Sequence, residues 1–131
     1  MPLEQSIEIS IPAGSVANNI TTGFGIQKVA DAALNSLANG STLSGLTYEN
    51  AAGAINAKVE IILQKITPTA GANIQIDNGT NFYQISIDTT SSAKKIEFLD
   101  IPATFLTNFS IINNTGVALA SGGNTCVVYP L

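Results

Sequence analysis

Apolar and polar residues alternate one for one through much of this chain, in short runs closed by turn residues roughly every ten positions. A side-chain period of two belongs to strands with one face buried, so the pattern restricts the chain to sheet architectures. The clearest run is Ala57 to Ile66. Val59, Ile61 and Leu63 share one face, and Lys58, Glu60 and Gln64 lie on the other. Ile62 and Ile66 interrupt the polar face, which is therefore expected to be partly covered. Glu4 to Ile11 repeats the pattern, with Ile7, Ile9 and Ile11 opposite Ser6, Glu8 and Ser10.

Further strands are expected at Thr42 to Tyr48, at Ile74 and Ile76, through Tyr83, Ile85 and Ile87, and at Ile96 and Phe98, where Asp100-Ile101-Pro102 stops the run. Asn78-Gly79 lies between two β-prone runs and marks a hairpin, because Asn and Gly accept the positive φ of a tight turn. The last stretch reads as Phe109 to Ile112, an Asn113-Asn114-Thr115-Gly116 turn, an apolar return at Val117 to Ala120, and a final strand at Thr125 to Tyr129 ended by Pro130.

Residues 25–40 are ambiguous. Ile26, Val29, Ala30, Ala33, Leu34 and Leu37 fall at helical spacing, with Gly40 placed to cap the end. The alternative is a helical turn near Gln27 to Asp31 followed by a strand through Leu34 and Leu37. The expectation is an all-β chain, an antiparallel β-sandwich of jelly-roll type, with one short helix near residues 26–33 as an open element. Residues 1–24 read as an N-terminal strand or arm and a loop, and residues 25–131 as the sandwich domain. A chain of 131 residues suits one domain.

Charged residues make up 11% of the chain, against a typical ~25%. Asn, Thr, Ser, Gln and Gly replace them, a surface that loses little on desolvation against another protein. There are five basic residues, of which only Lys94 and Lys95 are adjacent, and the net charge is −4. That balance argues against a nucleic-acid partner or an anionic membrane surface. The start of the chain does not read as a signal peptide, and no apolar run has the ~20 residues of a membrane span. Synthesis in a cytoplasm is expected.

Catalytic chemistry has little to work with. The chain has no His, and acid–base catalysis needs titratable groups that converge. Asp77, Asp88 and Asp100 are the carboxylates that could meet, but each also suits a turn that caps its own backbone. Asp77, Asn78 and Asn81 offer Ca²⁺-type oxygen ligands at a spacing that matches no EF-hand. Asn-x-Ser/Thr sequons at Asn19, Asn39, Asn78, Asn108 and Asn113 are read as a by-product of composition. Tyr48, Tyr83 and Tyr129 are candidates for stacking on sugars, although a ring packed at a sheet edge with its hydroxyl outward explains each. Cys126, in an apolar run, reads as a small buried hydrophobe. No catalytic, cofactor or metal residue is assigned.

The stretches SLANGSTLSG (36–45), AKVEIIL (57–63), IDNGTNFY (76–83) and FSIINNTGVALASGGNT (109–125) together resemble small structural proteins encoded by tailed bacteriophages. The resemblance covers residues 35–131. It implies a β-sandwich that decorates, or cements, the outside of a capsid, with the major capsid protein and further copies of itself as partners. A homotrimer is the arrangement suited to three-fold positions. Such a protein is made in the bacterial host cytoplasm and ends on the virion surface. A tail or fibre component with a receptor- or carbohydrate-binding sandwich is the alternative, and a non-virion role the third.

Overall fold

The computed structural model describes residues 20–21, 23–30 and 32–131. The strand expected at Glu4 to Ile11, and most of the arm, lie outside those residues. Nine strands are described: β1 (Ile20–Thr21), β2 (Gln27–Lys28), β3 (Thr42–Leu46), β4 (Asn56–Ile66), β5 (Asn73–Asp77), β6 (Phe82–Ser86), β7 (Ser92–Pro102), β8 (Phe109–Asn114) and β9 (Thr125–Pro130). They form a five-stranded sheet ordered β1-β2-β9-β4-β7 and a four-stranded sheet ordered β3-β8-β5-β6.

The pairing explains the name this topology carries. β5 pairs with β6, β4 with β7, β3 with β8 and β2 with β9, all antiparallel. The chain is thus one long hairpin with its turn at residues 78–81, rolled so that successive pairs alternate between two sheets. The β4–β9 and β5–β8 pairings then close each sheet. This is a jelly roll, as the alternation and turn spacing lead one to expect.

The roll has two ends. At the lower end lie the connections 47–55, 78–81 and 103–108, together with Leu131. At the upper end lie 29–41, 67–72, 87–91 and 115–124. Between the sheets, Val59, Ile61 and Leu63 of β4, Cys126 and Val128 of β9, and Ile96 and Phe98 of β7 face Leu43, Leu46, Ile74, Ile76, Phe109 and Ile111. Burial strictly alternates along β5 and β8, and along β4 as far as Leu63. Ile66 also points inward, because the register shifts between Leu63 and Ile66 and turns it from the polar face on which alternation alone would put it.

Three expectations need correction. Residues 25–40 hold no α-helix among the described residues. They form β2, then a single 3₁₀ turn at Ala32–Leu34, with another at Gly23–Gly25 before the strand. Positive φ at Ala30 (61°) and Ser36 (62°) interrupts any helix, and Val29 N–H bonds across to Cys126 C=O instead. Second, Val117 to Ala120 is not a strand but part of a long loop. Its Leu119 N–H donates to Leu37 C=O, and its Ala120 C=O accepts from Ser36 N–H. Third, β7 does not stop at Asp100. It runs on to Pro102 through a bulge, where Leu99 and Asp100 of β7 oppose the single Lys58 of β4 and Asp100 takes φ 54°.

Candidate functional site

The upper end is closed by buried polar side chains. Asn113 is fully buried and its Nδ2 donates to Leu37 C=O and Val117 C=O, both at 2.9 Å. Its Oδ1 accepts from Thr115 N–H at 3.0 Å and Thr115 Oγ1 at 2.6 Å. Asn124 does the same further along these two connections: its Nδ2 donates to Asn35 Oδ1 and Ala120 C=O, and its Oδ1 accepts Gln64 N–H. Lys94 points inward beneath the 87–91 connection and is only 7% exposed. Its ammonium donates to Asp88 Oδ1 at 2.6 Å, Thr90 C=O at 2.7 Å and Ser92 Oγ at 3.0 Å. Gly116 is required where it stands, because its φ is +88° and a Cβ there would overlap the Thr69 side chain. Loop backbone that would otherwise be buried unpaired is satisfied by these amides.

The lower end differs in kind. Phe24, Ile55, Phe82 and Leu131, four of the five exposed large apolar side chains among the described residues, sit there. The fifth, Leu99, lies three positions before the end of β7. Ile55 is 84% exposed although its backbone is fixed. Its C=O accepts Ala103 N–H at 2.9 Å, and the turn before it is pinned by Asn50, whose side chain both donates to and accepts from Ala54. Beside it opens a cleft of about 570 Å³ lined by Tyr48, Glu49, Asn50, Ile55, Pro102 and Thr104. Buried Gln27 holds the cleft's wall: its Nε2 donates to Thr47 C=O and its Oε1 accepts Glu49 N–H at 2.7 Å.

The two outer sheet faces also differ. All five lysines of the chain belong to strands of the five-stranded sheet. On its outer face Lys58 and Lys95 interleave with Glu60 and Glu97, and Lys58 lies 4.6 Å above the Tyr129 ring. The four-stranded sheet presents three rows read across the strands: Ser110, Asp77, Phe82; then Thr42, Ile112, Gln75, Gln84; then Asn114, Asn73, Ser86. These rows hold one carboxylate and no cation. A second cleft of about 340 Å³ lies at the lower end of this face, lined among others by Ser44, Asp77, Asn78, Asn108 and Ser110.

The carboxylates singled out from the sequence do not come together. Asp77 ends β5 at the lower end and accepts Gly79 N–H at 2.6 Å. Asp88 is at the upper end, where it accepts from Thr90 N–H and Lys94. The Lys94 ammonium, then the Thr90 N–H, holds its carboxyl below the usual range. Asp100 lies on the bulge of the other sheet. Asn78 Oδ1 accepts Thr80 N–H and Asn81 N–H, so Asp77 and Asn78 each give one side-chain oxygen to the turn itself. No three His, Cys, Asp or Glu gather among the described residues.

The tyrosines divide. Tyr48 is buried rather than at an edge with its hydroxyl outward. Burial raises its phenol pKa, and the hydroxyl donates to Gly25 C=O. Tyr83 faces inward with its ring 4.9 Å from that of Phe105. Tyr129 bonds Glu60 on the charged face. Of the sequons, Asn19 lies outside the described residues, Asn113 is spent internally, and Asn39 accepts Gly116 N–H. Sequence reasoning missed Ile55: continuing the alternation of β4 backwards puts it in the core, and the Asn50 turn is what rotates it out. No protein family, curated protein or solved structure matches the chain.

Proposed function

We propose that this chain is a non-enzymatic structural protein of a phage virion that binds the outside of the capsid and cements it, using the lower end of the jelly roll as its docking surface. The observation that carries the reading is the gathering of Phe24, Ile55 and Leu131, each more than half exposed, at one end beside a cleft of about 570 Å³. Exposed apolar side chains grouped in this way mark interaction surfaces. An Ile held outward on a backbone fixed at both sides is an anchor that loses little freedom on docking. The resemblance of residues 35–131 to phage structural proteins supports the choice of partner.

The remaining features suit the role. The upper end, closed by buried amides, gives a stable body. Three copies around a three-fold axis would each offer one apolar end, and multivalent contact raises effective concentration without stronger single contacts. The test is the copy number of this chain on purified virus particles relative to the major shell protein. A ratio near one, or a simple fraction of it, is expected. A few copies per particle would move the protein to the tail, and absence from the particle would overturn the reading.

A further inference from the structure

We infer that the outer face of the four-stranded sheet carries a binding site for a neutral carbohydrate at its lower edge, with the Phe82 ring as the stacking platform and Asp77, Gln75 and Gln84 as the hydroxyl-binding groups. The inference does not depend on the virion role.

Phe82 is 57% exposed on a sheet face made mostly of amides and hydroxyls, with Asp77 and Ile112 the other exceptions. It stands directly across from Asp77, whose other neighbour in register is Ser110. An aromatic ring beside a carboxylate and a hydroxyl offers the two things a sugar ring asks for. The apolar C–H face of a pyranose packs on the ring, and its hydroxyls donate to and accept from the planar polar groups around it. Those groups are ordered in advance. Gln84 Nε2 donates to Gln75 Oε1 at 2.8 Å, and Gln75 Nε2 donates to Asp77 Oδ2 at 3.3 Å. The two amides run in a chain to the carboxylate and restrict one another, and neither bond uses Gln84 Oε1 or the second N–H of either amide. Ordering these side chains before binding lowers its entropic cost.

The cleft of about 340 Å³ between Ser44 and Asp77 continues this row and falls within the ~300–1,000 Å³ of small-molecule sites. The row crosses three strand spacings, roughly 14 Å at ~4.8 Å each, so it accommodates more than one sugar ring. The charge pattern selects the ligand class. With one carboxylate and no Lys or Arg in the three rows, the face lacks the groups that hold sulfate, phosphate or uronate, and Asp77 repels them. The tyrosines considered from the sequence do not contribute, since Tyr48 and Tyr83 point inward and Tyr129 lies on the opposite sheet.

The test uses the full chain, isotopically labelled, titrated by NMR with maltotetraose, cellotetraose, chitotetraose and a galactose tetrasaccharide, and with a hyaluronan tetrasaccharide as the acidic comparison. At least one neutral probe is expected to shift the amides of Ser110, Asp77, Phe82 and Gln84 with saturable binding. Phe82→Ala and Gln84→Ala should each weaken that binding by about tenfold, with unfolding midpoints unchanged because both side chains lie on the outer face. Should Phe82→Ala fail to fold, Gln84→Ala carries the test alone. No saturable shift with any neutral probe up to about 10 mM, shifts confined to other surfaces, or equal binding of the hyaluronan probe would overturn the inference.

Discussion

The two ends of this jelly roll solve the same problem with similar bonds, but only one of them leaves large apolar side chains outside. Both must close a sandwich whose strands stop and whose loops carry unpaired backbone. The upper end turns polar side chains inward: Asn113, Thr115, Asn124 and Lys94 are buried and bonded to loop carbonyls and amides. The lower end fixes its loops by backbone bonds, such as Tyr48 N–H to Leu106 C=O and Ala103 N–H to Ile55 C=O, together with the side chains of Gln27, Asn50, Asp77 and Asn78, and it also leaves large apolar side chains in solvent. Where side chains satisfy the backbone they cannot also meet a partner. At the lower end the Ile55, Phe24 and Leu131 side chains stay exposed, which is what the proposed capsid contact would use.

That contrast can be broken or sharpened by substitution. The largest effect is expected in the core both ends share. Ile61 is fully buried in the middle of β4, and Ile61→Asp places an unpaired carboxylate there at a cost of several kcal/mol. No cooperative transition should be seen by circular dichroism. Next comes the upper end. Asn113→Ala removes both donors and the acceptor of a buried amide, takes the acceptor from Thr115 N–H, and leaves the Leu37 and Val117 carbonyls with one bond each, from Leu119 N–H and Thr115 Oγ1. A loss of about 3 kcal/mol in urea unfolding is expected. A loss under about 0.5 kcal/mol would mean that the upper end does not depend on its amides.

A smaller effect is expected on acidification. The Asp88 carboxyl is held low by Lys94, so the stability it contributes is present above its unfolded value near 3.9 and is lost as pH falls through its lower folded value. The wild-type unfolding midpoint should fall below about pH 4 more steeply than that of Lys94→Met, and identical profiles would refute the linkage. The smallest effect on stability belongs to the lower end. Ile55→Ser should change stability by less than about 0.5 kcal/mol while reducing retention on virus particles in a sedimentation assay. Unchanged retention would separate Ile55 from the docking surface.

Much of the fold was legible. β4, β5 and β8 announce themselves by alternation, and the Asn78-Gly79 turn by its residue types. What escaped depends on partners far away in sequence. Asn113 reads as turn chemistry, and Asn124 passes unremarked, because nothing local tells a turn-forming Asn from one buried against residues 76 or 89 positions distant. The apolar spacing of Ile26 to Leu37 suggests a helix because periodicity does not register the positive φ at Ala30 and Ser36. The exposed Ile55 of the proposed docking surface escaped for a related reason, since it stands just before β4, against that strand's parity, after a turn pinned by Asn50.

One feature of the topology governs how the molecule can be made. β9 lies between β2 and β4, pairing Gln27 with Val128 across a hundred positions of chain. Until Thr125–Pro130 has been synthesised, the five-stranded sheet is split, with β1–β2 on one side and β4–β7 on the other, each presenting an unsatisfied inner edge. The sheet therefore cannot be completed strand by strand in chain order, and folding is expected on the slow, millisecond-to-second scale of chains dominated by non-local pairing. In that interval two open edges are exposed to neighbouring chains at high expression, so yield should improve at lower temperature or slower synthesis more than the stability of the finished protein would suggest.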